Sequence, residues 1–152
     1  MPTVTAQTEI AAARIERVWD IVSDVERYPS LAAHVLEVSP DGAHHRWAVL
    51  LNGSRVGWVQ RDCPSPPRQL RFEQVTGDLD QLRGRWALEQ RGTSVRLCLR
   101  ICAHLGVDGL APLLDPIWAQ SFQAHADALV RAIAAASSPA ETASSPAETR
   151  TT

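Results

Sequence analysis

The sequence predicts an α+β domain in which a curved antiparallel sheet of six to seven strands wraps a long C-terminal helix, with two short helices after the first strand. Two observations carry this. From His44 to Gly106 the apolar residues recur with period two, in stretches about ten residues apart and with no helical pattern between them, which describes one antiparallel meander. On either side of that meander the spacing turns helical, once briefly after residue 14 and once at length after Pro116.

In chain order, "TVTAQTEIAA" alternates Val4, Ala6, Thr8 and Ile10 on one side and reads as a strand. Ile15, Val18, Trp19 and Val22, with Ile21 beside them, then form a helical stripe directed at a core. "SDVERYPSLAAHV" gives a turn or second short helix, with Tyr28 biased away from helical angles by the following Pro29. After the turn "SPDG" comes "HHRWAVLLNG", a strand ending in the hairpin dipeptide Asn52-Gly53. "SRVGWVQRDCP" is its partner, and "RQLRFEQVTG", "DQLRGRWALEQRG" and "SVRLCLRICAHLG" complete the sheet. Val95, Leu97, Leu99 and Ile101 share one face of the last strand, so Arg96 and Arg100 face water.

Leu114, Trp118, Phe122, Leu129 and Ile133 form the apolar stripe of the terminal helix. That stripe is buried most efficiently across the concave side of the sheet. A straight helix cannot touch a strongly curved sheet along its full length, so a ligand-sized gap is expected between them. A short helix after the break at Tyr28-Pro29 would cover one mouth of it. The domain is placed at residues 1–136. Residues 137–152, in which "ASSPAET" is written twice without a large apolar residue, read as a solvated, disordered tail.

The chain has 152 residues, enough for one core without a metal or disulfide staple. Its net charge of −2 gives no general attraction to nucleic acid or anionic membranes. No apolar run is long enough to span a bilayer, and the polar start "MPTVTAQTEI" does not read as a signal peptide. The three cysteines, Cys63, Cys98 and Cys102, read as free buried thiols in a reducing cytoplasm. His34, His44, His45 and His104 lack ligand-like spacing, so no metal site and no cofactor is expected.

Two stretches carry a family resemblance. "IAAARIERVWDIVSDVERYPSL" resembles the N-terminal signature of the polyketide cyclase and coenzyme Q-binding branch of the START-like superfamily, also called SRPBCC, helix-grip or Bet v 1-like. "GWVQRDCPSPPRQLRFEQVTGDLDQLRGRWALEQRGTSVRLCLR" is similar to the middle of the same family. The likeness covers residues 4–134. It implies a helix-grip fold around an apolar cavity. For the aromatase/cyclases of the branch it implies cofactor-free aldol cyclisation and dehydration of a poly-β-ketone delivered by an acyl carrier protein, as in antibiotic biosynthesis. For the quinone- and lipid-binding members it implies carriage without catalysis. Where the cyclases often read "W.SER", this chain has "WVQRD": Gln60 stands in place of the serine and Asp62 in place of the arginine. Arg61 would point inward only across a bulge.

Aldol cyclisation needs a base for the proton between two carbonyls, and donors where negative charge develops on oxygen. His125 lies in the middle of the terminal stripe, seven residues after Trp118 and four before Leu129. It reads either as an acid–base group titrating near neutrality or as a core histidine with a backbone partner. Ser121, one turn earlier, is a candidate donor. Asp62 shares a face with Trp58 and Gln60; it is either a carboxylate of raised pKa in the cavity or a strand end in solvent. Trp58, Trp86, Trp118 and Phe122 suit a flat ligand or fill the core. Gly84 would leave room beside Trp86. Tyr28 either reaches the ligand or anchors the turn. The expected partner is a small polyketide or another apolar molecule.

Overall fold

The computed structural model describes residues 3–104 and 111–138, without side chains for 111–116. Strand β1 (Thr3–Ile10) leads to helix α1 (Ile15–Val22), a 3-10 turn (Val25–Arg27) and helix α2 (Tyr28–Leu31). Strands β2 (Val35–Asp41), β3 (His44–Leu51), β4 (Ser54–Ser65), β5 (Gln69–Gly77), β6 (Gln81–Arg91) and β7 (Ser94–His104) follow, and helix α3 (Ala111–Ser137) comes last. The seven strands form one antiparallel sheet in the order β1-β7-β6-β5-β4-β3-β2, of which β3 to β7 are the meander that the alternating pattern predicts. β2 is the strand not assigned from sequence. A register shift between Val35 and Glu37 interrupts its alternation, so its inward residues do not recur every second position.

The sheet is amphipathic strand by strand. Val95, Leu97, Leu99 and Ile101 are buried, whereas Arg96 and Arg100 are exposed. Asn52 (φ 52°) and Gly53 (φ 82°) make the two-residue turn between Leu51 and Ser54. Both take the positive φ that the primed hairpin turns require. The concave face is closed by α3, which packs on β1, β7 and α1. Its buried residues Phe122, Ala126, Leu129, Val130 and Ile133, with His125 among them, recur at three and four. The helix begins at Ala111, ahead of Pro116, and runs through Ser137, the residue at which the tail was expected to start. The rest of the repeat, residues 139–152, lies outside the described residues.

Tyr28 corrects one expectation. Its φ and ψ of −56° and −38° are helical despite the following proline. Pro29 sits in the first turn of α2, where the missing N–H has no intrahelical acceptor to lose. The conformational cost at Tyr28 is offset by complete burial of its ring and by the bond its hydroxyl donates to the Val22 carbonyl at 2.6 Å. The thiols are another correction. All three are free, but Cys63 is exposed and Cys98 and Cys102 are half-buried on the outer face of the sheet.

Gly84 does not leave room for a guest. A Cβ there would lie 2.6 Å from Cζ of Phe72 and closer still to the Arg100 carbonyl oxygen. The missing side chain is what lets the Phe72 ring cross β6. Gly84→Ala should therefore cost about 1–3 kcal/mol by overpacking, read as a lower urea midpoint at unchanged m-value. Phe72→Leu in the same chain should restore part of the loss. A Gly84→Ala midpoint equal to wild type would contradict this packing.

Candidate functional site

The gap between α3 and the sheet exists, but aromatic rings occupy nearly all of it. Trp47 and Trp58 stack with centroids 5.8 Å apart and planes within 9°. Tyr28 meets Trp47 edge-on at 5.6 Å and Trp86 edge-on at 6.3 Å. What remains is a cavity of about 20 Å³ bounded by Tyr28, Trp58, Trp86, Phe72, Asp62 and His125, among others. That is room for about one water molecule. The ligand-sized gap expected from the sequence is thus filled by side chains. Indoles are large, and three of them converge from β3, β4 and β6 on the same space.

Polar atoms reach this aromatic interior from two sides. From the helix side comes His125, 5% exposed, whose Nδ1 lies 2.6 Å from Nε2 of His34. His34 follows α2, and its carbonyl accepts from the Leu50 N–H at 2.8 Å, which ties the segment to β3. The His34–His125 contact thus fastens the α2–β2 connection to α3. Burial, reinforced by the charge His34 would carry, pushes the His125 imidazolium from the ordinary 6.5 down to about 3. Burial lowers His34 as well. At neutral pH both rings are uncharged, and one N–H is shared between them. His125 therefore does not titrate near neutrality, because its charged form would be desolvated without a counter-charge. It is a weak base but remains a good hydrogen-bonding group.

From the sheet side comes a chain of side chains along β4. Trp58 Nε1 donates to Oε1 of the buried Gln60 at 2.9 Å, and Gln60 Nε2 donates to Asp62 Oδ1 at 2.8 Å. Asp62 Oδ2 lies 3.6 Å from His45 Nδ1, and His45 Nε2 lies 3.0 Å from Oε2 of Glu26 on the 3-10 turn. Burial raises the Asp62 carboxyl, against the opposing effect of the Gln60 and His45 contacts. The side chain stays 17% exposed, and Glu26 is half-exposed, so the carboxyl has a polar route to solvent. Alternation along β4 therefore brings Trp58, Gln60 and Asp62 inward together.

The structure divides the remaining candidates. Arg61 lies on the outer face, exposed and ion-paired with Glu73, and takes no part in the interior. A register shift does occur beside it, between Val59 and Gln60, but Val75 on β5 is the residue left over, so β4 keeps its phase. Tyr28 bounds the cavity while its hydroxyl is spent on Val22. Ser121 is buried and donates along its own helix to Ile117 at 3.2 Å. Phe122 is buried beside the half-buried Trp118, 6.1 Å between centroids, and neither borders the cavity. Two participants were missed from sequence, His34 and His45. Their distance from His125 and Asp62 along the chain hides the contacts, although both histidines stand where a loop meets a strand. Trp47 was placed in a strand, but not at the cavity it borders; its Nε1 is buried without a hydrogen-bond partner among the described residues.

The depressed His125 has a consequence for stability. The unfolded chain binds a proton at this ring below about 6.5, whereas the folded chain does so only near 3, so falling pH favours unfolding across that window. The slope from this ring should approach about 1.4 kcal/mol per pH unit at its steepest. Urea midpoints from pH 7 to pH 4 should fall more steeply for wild type than for His125→Gln. Parallel profiles would exclude His125 as the source.

Residues 11–134 match the family described as polyketide cyclase / dehydrase and lipid transport. Among curated proteins no sequence matches significantly. Among solved structures, TTHA0849 from Thermus thermophilus is similar with a TM-score of 0.78 at 23% identity, over 95% of this chain and 99% of that one. Zhui aromatase/cyclase from a Streptomyces species gives 0.73 at 16% identity, over 89% and 92%. A START superfamily protein from Mycobacterium smegmatis gives 0.69 at 19% identity, over 86% and 96%. Those three likenesses speak for the helix-grip fold, while the family match covers nearly the whole described domain: this chain belongs to the polyketide cyclase / dehydrase and lipid transport family.

Proposed function

We propose that the protein is a cofactor-independent cyclase/dehydratase-like enzyme acting on a small β-polyketone, with Asp62 as the base and neutral His125 as a hydrogen-bond donor to the developing enolate oxygen. One observation carries this reading. A carboxyl raised by burial and a neutral imidazole border the same aromatic cavity from opposite sides. Carbon between two carbonyls is acidic enough for a raised carboxylate to deprotonate. An uncharged imidazole N–H in a water-poor site can stabilise the charge that then appears on oxygen. Once His34 is displaced, the single N–H of neutral His125 is the group left for substrate. Stacked Trp47 and Trp58 suit a planar enol. Delivery of the substrate by an acyl carrier protein belongs to this reading through the family's cyclases.

A cavity of about 20 Å³ admits no such substrate as it stands. Binding requires the segment carrying Tyr28 and His34 to swing away from α3, so the His34–His125 bond must break or be replaced by one to the ligand. A second reading follows from the same closed interior and the weak basicity of His125: a carrier that opens for a quinone or lipid and catalyses nothing.

Deuterium exchange separates the two. Benzoylacetone, a planar 1,3-diketone, should quench the indole fluorescence and exchange its central protons faster with the protein than in buffer. Asp62→Asn should lower the protein-dependent rate about 100-fold with quenching retained. Quenching with exchange at the buffer rate would leave the carrier reading standing and remove the enzyme.

A further inference from the structure

The outer face of the sheet carries a second feature, independent of the interior. Register places Cys63, Arg71, Arg85 and Arg100 directly across from one another on β4, β5, β6 and β7. Two residues along the strands, a second row runs Arg61, Glu73, Arg83 and Cys102. All of these residues except Arg61 line a groove of about 550 Å³, far larger than the interior cavity. Arg71, Arg83, Arg85 and Arg100 are all exposed. Elsewhere on the sheet Arg46 pairs with Asp41, Arg55 with Glu37 and Arg61 with Glu73. Among the described residues Arg71, Arg83, Arg85 and Arg100 have no such carboxylate, although the chain as a whole is slightly acidic. Like charges set directly opposite each other on neighbouring strands destabilise a sheet. Three guanidinium groups in line, in a groove, therefore form a local field that an anionic partner would relieve.

Spacing selects the partner. Adjacent strands lie about 4.8 Å apart, so the outer members of the row Arg71, Arg85, Arg100 are separated by about 9.6 Å at the backbone. Residues seven apart on one face of an α-helix are separated by about 10.5 Å along its axis, with a third at i+3 or i+4 between them. Arginine side chains are long enough to absorb the difference. A helix laid across the strands would present one carboxylate per turn to one guanidinium per strand, each as a charge-assisted hydrogen bond.

We propose that this face is a docking surface for an acidic α-helix of a partner protein, its carboxylates one turn apart and seated on Arg71, Arg85 and Arg100, with Arg83 alongside. Cys63 ends the row and reports on its occupancy.

The test uses the full chain and two stapled helical peptides of identical composition. One has glutamates at i, i+4 and i+7 on a single face; the other has the same three glutamates spread around the helix. Fluorescence anisotropy should show tighter binding of the one-face peptide. Its dissociation constant should rise about tenfold between 50 and 300 mM salt, as screening of exposed charges demands. Arg85→Gln should weaken it about threefold, Arg85→Lys less, and Gln at 71, 85 and 100 together should abolish it. The same peptide should slow alkylation of Cys63. Removing opposed like charges should not lower the melting temperature; if the triple variant fails to fold, the Arg85 pair decides. Equal binding of the two peptides, indifference to Arg85→Gln, or undiminished Cys63 alkylation overturns the proposal. Preference for tripolyphosphate or phosphatidylserine vesicles over the one-face peptide overturns it in favour of a phosphate-bearing ligand.

Discussion

A histidine set in the middle of a buried apolar stripe must find a polar partner, and much of this structure follows from where His125 finds one. Among the described residues no carboxylate lies within ion-pair distance of it, Asp62 bordering the same cavity from the other side. Its Nδ1 is held instead by His34, 2.6 Å away, in the connection between α2 and β2. Two neutral rings can share one proton at little cost, whereas an imidazolium at that depth would stand without a counter-charge. Burial keeps both histidines uncharged, and the bond fastens the connection after α2 onto α3.

The aromatic packing completes that closure. Tyr28 reaches inward from α2, edge-on to Trp47 and Trp86, and its hydroxyl returns to Val22. Ring edges against ring faces are a favourable arrangement, and their combined area is large. The space under α3 is thereby filled by indoles of β3, β4 and β6 with the Tyr28 ring set against them. Under the proposed function, a guest would have to replace the Tyr28 and His34 contacts with its own, and affinity would be reduced by the cost of opening.

Inner and outer faces of the sheet are set by the same alternation yet serve different ends. Along β4, Trp58, Gln60 and Asp62 turn inward while Arg61 turns out to Glu73. The register shift beside Gln60 leaves the extra residue on β5, so the phase of β4 is kept and Asp62, not Arg61, enters the interior. Farther along the sheet the same rule aligns Arg71, Arg85 and Arg100 on the outside. On β4 the inward group is thus a carboxyl, while the guanidinium beside it stands on the opposite surface.

Local pattern was sufficient for the strands β3 to β7, the Asn52-Gly53 turn, the α3 stripe and the inward face of β4, because each depends on spacing within a few residues. It was also sufficient to single out His125 and Asp62, polar groups on apolar faces. β2 escaped because a bulge breaks its period, and Tyr28 took helical angles because burial of its ring outweighed the bias from Pro29. The partners of these two candidate residues, His34 for His125 and His45 for Asp62, were decided only when distant segments met. So was the size of the cavity, since three indoles from separate strands fill a volume that no single strand describes. Sequence by itself determined which faces are apolar and which residue types stand on them; tertiary structure decided what they touch, because contact between segments far apart in the chain is set by the register and curvature of the whole sheet and not by any local period.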